Sequence, residues 1–420
     1  MSMASTTPLL SRKRPQPTLR PPLLRWEQPQ PTLRSPLPPQ PTLTPMDLPF
    51  DLVKEILCRL PAKHLLQLCC VCKSWNSLIS ADSNFAKKHL RLSNSLQDRH
   101  HLIQTITDSS PLPEVLLSQS PISSIFSSAS TFRVAQFRYS LEEILNTGTG
   151  ASTCDGIICF RIDNSIAVLC NPCIRKFKIL PPLKFPHQSG DRIAYTLVYD
   201  RFIRSYKVIA VKSSRNGKTV ELNIHTLGTD CWKRIQNFPA PLYLATRGVF
   251  VNDSVNWLAY AGIGVVPPIV SFDLENESYQ MLSLPGDVLQ LKTLIIFILG
   301  TLSGCLSLLF NQRDGDGFSE VWIMKEYGNE NSWIKLFTVP QTDFGPYLRA
   351  IYISEDDKVL MECVKSGKNS LVVYDPISNT CEIPKFQNRN QGEMTSQPHI
   401  ESDVKIFTSG IYVESLISPL

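Results

Sequence analysis

Two periodicities of hydrophobic and polar residues divide the chain, one helical and one typical of β-strands. Over residues 46–92 the apolar positions follow a helical spacing, with Leu52, Ile56 and Leu60 four residues apart. Pro61 ends that helix and can occupy the first turn of the next one. Asp82 precedes "SNFAKKHL" and suits the N-cap of a last helix. The pattern therefore predicts a compact all-α module of several short helices.

The second half of the chain repeats loosely and alternates with the period of β-strands. Each of five units has a strand, a turn with Asp or Asn, an aromatic position and a Leu-Pro-like end. The aromatic positions, spaced 55, 47, 54 and 48 residues apart, are Phe177, Trp232, Tyr279, Trp333 and, without an aromatic ring, Cys381. A period near 50 residues is typical of β-propeller blades. We expect β structure from about residue 130 to 420 as one closed propeller of about six blades, with "IYVESLISPL" pairing to a strand at the start of that domain.

One apolar run, Thr293–Phe310, carries no charge over 18 residues. Its length barely reaches that of a membrane helix. Gly300 and Gly304 interrupt it, and β-branched residues crowd its first half. Two buried strands joined by "GTLSG" are the interpretation we favour, and we expect no membrane segment.

Residues 1–45 form a proline-rich leader in which "PQPTL" occurs three times. Proline at this density predicts a disordered or extended segment, either a ligand for a proline-binding groove or a linker-like extension. The leader contains six basic residues and one acid, so it carries the whole net charge of +5 and residues 46–420 sum to zero. The remainder of the chain thus gives no reason to expect a nucleic-acid partner.

The start of the chain lacks the apolar core of a secretory signal. An organellar transit peptide remains an alternative, because the segment is basic and contains Ser and Thr. Without secretion, the 12 cysteines are expected to be free thiols. We expect the protein in the nucleus and/or the cytoplasm.

The stretch "LCCVCKSWNSL" at Leu68–Leu78 raises the question of a metal or redox site. Cys69 and Cys72 have zinc-like spacing, as do Cys170 and Cys173, but the pairs lie 98 residues apart in regions of different type. A closed zinc site needs four ligands, and a redox Cys-x-x-Cys belongs beside a βαβ unit. We therefore expect no metal and no cofactor, and interpret these cysteines as small apolar side chains of a helix.

The faces of that helix leave apolar surface on more than one side. Leu65, Cys69 and Cys72 would share one face, and Leu66 and Cys70 another. A module this small cannot bury all of that surface internally, which indicates a protein partner.

Two parts of the sequence resemble known families. "LPFDLVKEILCRLPAKHLL" and "CCVCKSWNSLISADSNFAKKHL" resemble the F-box in the form common in plant F-box proteins. "STCDGIICF", "LCNPCIRKFKILPPL" and "IYVESLISPL" resemble the F-box-associated, kelch-like β domain. Cys381 and Cys173 depart from that pattern. The resemblance implies an α+β multidomain protein, with a leader at 1–45, an F-box at 46–92, a linker at 93–130 and a kelch-like β-propeller at 131–420.

This resemblance also implies a function. F-box proteins are substrate receptors of SCF-type cullin–RING ubiquitin ligases: the F-box docks on an SKP-family adaptor, which connects to the cullin and RING subunits, and the second domain holds the target. The F-box residues expected at the adaptor are Leu48, Pro49, Ile56, Leu57, Leu60, Pro61, Leu65, Cys70, Val71, Cys72 and Trp75. Those assigned instead to the core of the module are Leu52, Leu68, Leu78 and Ile79.

Two other classes of function are considered. An enzyme built on the propeller is disfavoured, because G-x-S-x-G, H-E-x-x-H and the P-loop are all absent from the sequence. The other is a scaffold of the same modules that acts independently of ubiquitin, which copurification of a cullin would distinguish from a ligase receptor. The target protein cannot be read from the sequence.

Overall fold

The computed structural model describes residues 48–107, 115–127, 130–131, 133–135, 151–161, 165–184, 191–214, 219–235, 238, 243–244, 247–261, 265–289, 295–312, 317–340, 347–365, 368–384, 386–387, 394–395 and 405–420. The proline-rich leader lies outside these residues, so its predicted conformation stays a prediction.

Four short helices form the N-terminal module: α1 (Phe50–Leu57), α2 (Ala62–Leu68), α3 (Lys73–Ala81) and α4 (Ser83–Ser95). Pro49 and Pro61 immediately precede α1 and α2. The side chain of Asp82 caps α4 by accepting hydrogen bonds from the backbone N–H groups of Asn84 (2.8 Å) and Phe85 (3.0 Å). The predicted helical module and this N-cap are both confirmed.

The rest of the described chain is dominated by strands, with two short helices, α5 (Ile122–Phe126) and α6 (Gly286–Leu289). In chain order the strands are β1 (His100–Thr107), β2 (Val115–Pro121), β3 (Ser130–Thr131), β4 (Arg133–Ala135), β5 (Ser152–Cys154), β6 (Ile157–Arg161), β7 (Ala167–Asn171), β8 (Lys176–Ile179), β9 (Arg192–Asp200), β10 (Ser205–Ser213), β11 (Val220–Thr226), β12 (Trp232–Ile235), β13 (Tyr243–Leu244), β14 (Val249–Val251), β15 (Ser254–Tyr260), β16 (Ile269–Asp273), β17 (Ser278–Leu282), β18 (Ile295–Leu302), β19 (Cys305–Gln312), β20 (Phe318–Met324), β21 (Trp333–Pro340), β22 (Tyr347–Ile353), β23 (Val359–Lys365), β24 (Lys368–Asp375), β25 (Thr380–Glu382), β26 (Phe386–Gln387), β27 (Met394–Thr395) and β28 (Lys405–Val413).

All of these strands except β3, β26 and β27 form a β-propeller of six antiparallel blades, and those three form a small separate sheet. Blade 1 has the order β28-β1-β2-β4, blade 2 β5-β6-β7-β8, blade 3 β9-β10-β11-β12, blade 5 β18-β19-β20-β21 and blade 6 β22-β23-β24-β25. In blade 4 both β13 and β14 pair with β15, which is followed by β16 and β17. The innermost strands contact one another in the ring β28, β5, β9, β14, β18 and β22, which encloses a central channel. The predicted six-bladed, closed architecture is confirmed.

The last strand closes the ring. β28 pairs antiparallel with β1, so that Leu102 lies opposite Ile411 and His100 opposite Val413. Blade 1 therefore joins the start of the β domain to its end, and this pairing gives β1 a partner on its inner side and closes the ring of blades. The predicted role of "IYVESLISPL" is confirmed for its first residues, which belong to β28.

The structure differs from the predicted linker at 93–130. β1 and β2 lie within that stretch, so β structure begins at residue 100 and not near 130. The alternation of apolar and polar residues that marks a strand is weak there, because two of the buried positions are the polar residues Gln104 and Ser120. The innermost strand β28 needs a partner, and that partner is supplied by residues that directly follow the helical module.

The repeat read from the sequence corresponds to the outermost strand of each blade. The five aligned positions lie in β8, β12, β17, β21 and β25. Two of them contact the preceding blade. The indole of Trp232 donates to the carbonyl oxygen of Pro181 (2.8 Å), and that of Trp333 donates to Ser283 (3.1 Å), each just after the preceding blade's outer strand.

The apolar run Thr293–Phe310 contains the hairpin of β18 and β19. Its turn residues Ser303 and Gly304 both have positive φ, 49° and 77°, which matches the twist of a two-residue hairpin. The interpretation as two strands is confirmed. Among the residues that the structure describes, no helix is long and apolar enough to cross a membrane.

Replacing Gly156 with Ala should destabilise the propeller. Gly156 has φ +76°, and an added Cβ would lie 2.3 Å from Ser415 Oγ and 2.6 Å from the Val413 carbonyl oxygen. We expect a loss of about 2–4 kcal/mol in the free energy of unfolding, from overpacking and backbone strain together. Gly228→Ala is the matched control, because Gly228 has φ +93° with nothing within 4 Å of the added atom. Denaturant unfolding should show the smaller loss for the control; equal losses would contradict the close packing at Gly156.

Candidate functional site

One side of the helical module is buried against the propeller. Leu57 (2% exposed) and Leu65 (0%) belong to a single hydrophobic cluster with Ile157 of β6 and Leu416 of the C-terminal segment. Leu78 and Ile79 of α3 are buried in the same cluster. The module and the blade beneath it therefore share one core, and the amphipathic helices bury one face in that core.

A polar network fixes the same junction. Glu414, directly after β28, accepts hydrogen bonds from the backbone N–H of Ala62 at the start of α2 (3.2 Å) and from Nε2 of His101 (3.2 Å). The guanidinium of Arg99 is buried and donates to Ser93 Oγ (3.0 Å) and to the carbonyl oxygen of Arg59. Since buried polar groups are costly when unpaired, these bonds favour a single orientation of the helices on the propeller.

Acid should weaken this junction through His89. Its Nε2 lies 3.0 Å from the Leu60 carbonyl oxygen. Burial lowers the pKa of His89, and the Arg99 charge lowers it further, against the opposing effect of the Leu60 hydrogen bond. A group with a lowered folded pKa stabilises the fold above its ordinary pKa of about 6.5, and this contribution is lost as the pH falls. We expect the free energy of unfolding to decrease between about pH 7 and pH 5.5.

His89→Gln should flatten that pH dependence, because glutamine does not titrate and can still donate to Leu60. His64→Gln is the control, since His64 is exposed on α2. Denaturant titrations at several pH values measure the slope. The prediction is contradicted if His89→Gln retains the slope of the unmodified chain.

Other parts of the module's surface expose apolar side chains. Leu48, Phe50, Leu52, Ile56 and Val71 are between 43% and 60% exposed, and we call these five residues the apolar set. Leu52 and Ile56 are four residues apart in α1 and so lie on one face of that helix. Apolar side chains gathered in one small module are typical of a surface that binds another protein.

The eleven predicted adaptor residues divide into three groups. Those exposed are Leu48, Pro49, Ile56, Cys70, Val71 and Cys72; those partly buried are Leu60, Pro61 and Trp75; those buried are Leu57 and Leu65. The two buried side chains hold the module to the propeller, so their assignment to a surface contact is wrong for this structure. Leu52 is the reverse case, because it was assigned to the core and is exposed. Phe50 was missed, and helical spacing gave no signal for its exposure, because it lies seven residues before the buried Leu57 and so on the same face of α1.

The cysteine-rich stretch does not form one continuous helix. α2 ends at Leu68, and Cys72 precedes α3 in an extended conformation, with its carbonyl oxygen accepting from Asn76 N (3.0 Å). The prediction that Cys69 and Cys72 share a helical face is therefore wrong. The turn between α2 and α3 allows leucines of both helices to pack in the common core. A hydrogen bond with Ser74 lowers the pKa of the exposed Cys72 thiol. Within the described residues, no three His, Cys, Asp or Glu side chains are grouped to hold a metal ion.

The "NPC" part of blade 2 has a structural role that the sequence did not reveal. Asn171 is buried, and its Nδ2 donates to the carbonyl oxygens of Ser415 (3.1 Å) and Ile417 (2.8 Å). Tyr412 donates to Asn171 Oδ1 (3.1 Å) and lies 3.0 Å from Cys173 Sγ. Burial raises the pKa of the Cys173 thiol to about 12. Asn171 thus anchors the C-terminal segment that also contacts the helical module.

Comparison with known proteins agrees with this architecture. Residues 46–87 match the family model of the F-box domain, and residues 135–419 match that of the F-box associated beta propeller domain. An F-box/kelch-repeat protein of Arabidopsis thaliana is 30% identical over 357 residues, covering 80% of this chain and 92% of that protein. The F-box protein CPR1 of Arabidopsis thaliana is 28% identical over 357 residues, covering 78% and 82%. Among solved structures, TolB from Acinetobacter baumannii matches with a TM-score of 0.37 and 11% identity over 75% of this chain and 83% of that one.

Proposed function

Because the chain belongs to the F-box proteins that carry an F-box-associated β-propeller, we propose that it is a substrate receptor of an SCF-type cullin–RING ubiquitin ligase. The F-box binds an SKP-family adaptor, and through it the cullin and RING subunits. The propeller holds a target protein, whose identity is open. We place this activity in the nucleus and/or the cytoplasm, which imaging of a fluorescent fusion would test.

The observation that carries this proposal is the F-box module, which the propeller covers only in part. One part of the module is buried against the propeller in a common core, while the apolar set stays exposed on the same module. Each apolar side chain removed from water contributes about 1.5–3 kcal/mol. Residues of the apolar set are therefore suited to be the central anchors of an adaptor interface.

The junction supports the receptor mechanism physically. A receptor of this kind performs no covalent chemistry and acts by raising the effective concentration of the target near the conjugating enzyme. That effect depends on a defined distance between the two binding surfaces. Glu414, Arg99 and the shared core hold the F-box against the propeller, so a bound target would keep a fixed position relative to the adaptor.

The test is purification of the tagged full-length chain from plant cells, probed for the SKP-family adaptor and for the cullin. We expect both to copurify, and we expect a propeller-bound target to accumulate when the proteasome is inhibited. Copurification of the adaptor without any cullin would favour the scaffold that acts independently of ubiquitin. Absence of both would refute the proposed function.

A further inference from the structure

The central channel has a basic end. The six innermost strands run in the same direction. β5, β9, β18 and β22 each begin their blade, β14 follows β13 along the same edge of β15, and β28 takes the innermost position in blade 1. Their C-terminal ends lie on the side of the F-box, where Glu414 follows β28 and reaches Ala62. Arg247, just before β14, and Tyr347, the first residue of β22, therefore lie at the opposite end.

The side chain of Arg247 reaches across that end of the channel. Its Nη1 donates to the carbonyl oxygen of Ala151, which precedes β5. β5 belongs to blade 2 and β14 to blade 4, so the contact passes over blade 3. Arg247 is half-buried, and the guanidinium offers five donors. Among the described residues, the Ala151 carbonyl oxygen is the hydrogen-bond acceptor for Arg247.

A second guanidinium lies nearby and is already paired. Arg349 of β22 donates to Glu362 Oε2 from Nε (3.1 Å) and Nη2 (2.7 Å), and also to the Ser409 carbonyl oxygen of β28. Glu362 Oε1 accepts from Ser409 Oγ (3.3 Å). The carboxylate of Glu362 is thus engaged by Arg349 and Ser409.

The local charge is unbalanced among the described residues. Two guanidinium groups share the channel end with one carboxylate, and within the described chain no carboxylate lies within 4 Å of Arg247. Burial and, after it, the charge of Arg349 lower the pKa of Arg247 to about 10. The Glu362 carboxylate opposes this lowering from a distance, but its direct partners are Arg349 and Ser409. An incoming anion would therefore give Arg247 the direct ionic partner that the described residues do not supply.

We propose that the channel end formed by Arg247, Tyr347 and Arg349 binds an oxyanion, a carboxylate or a phosphate group. The planar fork of arginine matches both groups and can donate two parallel hydrogen bonds to either. Tyr347 is 36% exposed, so its position is open to solvent and its hydroxyl can donate to the same ligand. The site does not depend on the F-box, and it lies at the end of the propeller away from it.

The competing explanation is a cross-brace, in which Arg247 only holds Ala151. Anion titration separates the two, because Arg247→Gln removes the positive charge: anion binding is lost if Arg247 is a ligand, whereas a pure cross-brace predicts no anion binding in either chain and only a loss of stability. Tyr347→Phe is a second variant that keeps the ring. Arg234→Gln is the control, since Arg234 is exposed and contacts Glu221 (3.6 Å) away from the channel.

The measurement is calorimetric titration of the full-length chain with inorganic phosphate and, separately, with acetate, at constant ionic strength. We expect binding of at least one anion, weakened about tenfold or more in Arg247→Gln, weakened less in Tyr347→Phe and unchanged in Arg234→Gln. A preference for phosphate or for acetate identifies which oxyanion fits. Binding of neither anion, or equal binding by Arg247→Gln, would overturn the proposal and leave the cross-brace. If circular dichroism shows Arg247→Gln to be unfolded, Tyr347→Phe decides: anion binding weaker than that of the unmodified chain supports the proposal, and equal binding overturns it.

Discussion

Replacing Phe50 and Ile56 together with Ala should strongly weaken capture of the adaptor while the protein stays folded. Both side chains are exposed on α1 in the unbound chain, so their truncation removes little from the core. In a complex the exposed half of each side chain would be removed from water, and together they would contribute about 1.5–3 kcal/mol. We therefore expect the affinity for the adaptor to fall about 10- to 100-fold.

A pull-down of the full-length chain, probed for adaptor and for a propeller-bound partner, measures this effect. Ile377→Ala is the matched control, because Ile377 is 86% exposed in the turn between β24 and β25 of the propeller. The control should retain the adaptor at the level of the unmodified chain. If the double variant also retains it, the apolar set is not the adaptor surface and the receptor proposal loses its main support.

Removing residues 405–420 should prevent the propeller from folding. The truncation deletes β28, leaving β1 without its inner partner. It also deletes Tyr412, Ser415 and Leu416, all buried, and thereby the partners of Asn171. Loss of one large buried ring costs about 3–5 kcal/mol, against a total stability of about 5–15 kcal/mol for a typical domain.

The expected outcome is an aggregated product, or a soluble one that lacks a cooperative unfolding transition. A synthetic peptide of residues 405–420 added during refolding should restore a cooperative transition, because β28 enters by strand pairing. Truncation of Leu420 alone serves as the control, since that side chain is 69% exposed. A truncated chain that unfolds cooperatively without the peptide would show that β28 is not needed for closure.

Much of the architecture could be predicted from local sequence features. Trp232, Tyr279 and Trp333 are 47 and 54 residues apart because each lies in the outermost strand of a successive blade. This period of about 50 residues indicated a propeller. Asp82 was identifiable as a helix cap because its side chain bonds to N–H groups two and three residues away. The glycines of "GTLSG" marked the hairpin of β18 and β19, and Gly304 adopts the positive φ that its turn requires.

The predictions that failed were those that depend on distant contacts. β1 and β2 were taken for a linker because their alternation is diluted by Ser and Gln, and only pairing with β28 shows that these residues belong to a blade. Cys69 and Cys72 were placed on one helix face because the spacing allowed it. The chain turns there so that leucines of α2 and α3 enter a core shared with blade 2.

The sequence by itself determined the class of each element, the repeat and the resemblance of the helical module to an F-box, because these depend on neighbours along the chain. Which face of that module is free was decided only by the tertiary structure. Leu57 and Ile56 are adjacent apolar residues, yet one is buried and the other exposed. The difference arises because the propeller covers one side, through contacts such as that of Ala62 with Glu414, 352 residues away. A hydrophobic pattern shows that a face will be buried, but not whether the same chain or a partner covers it.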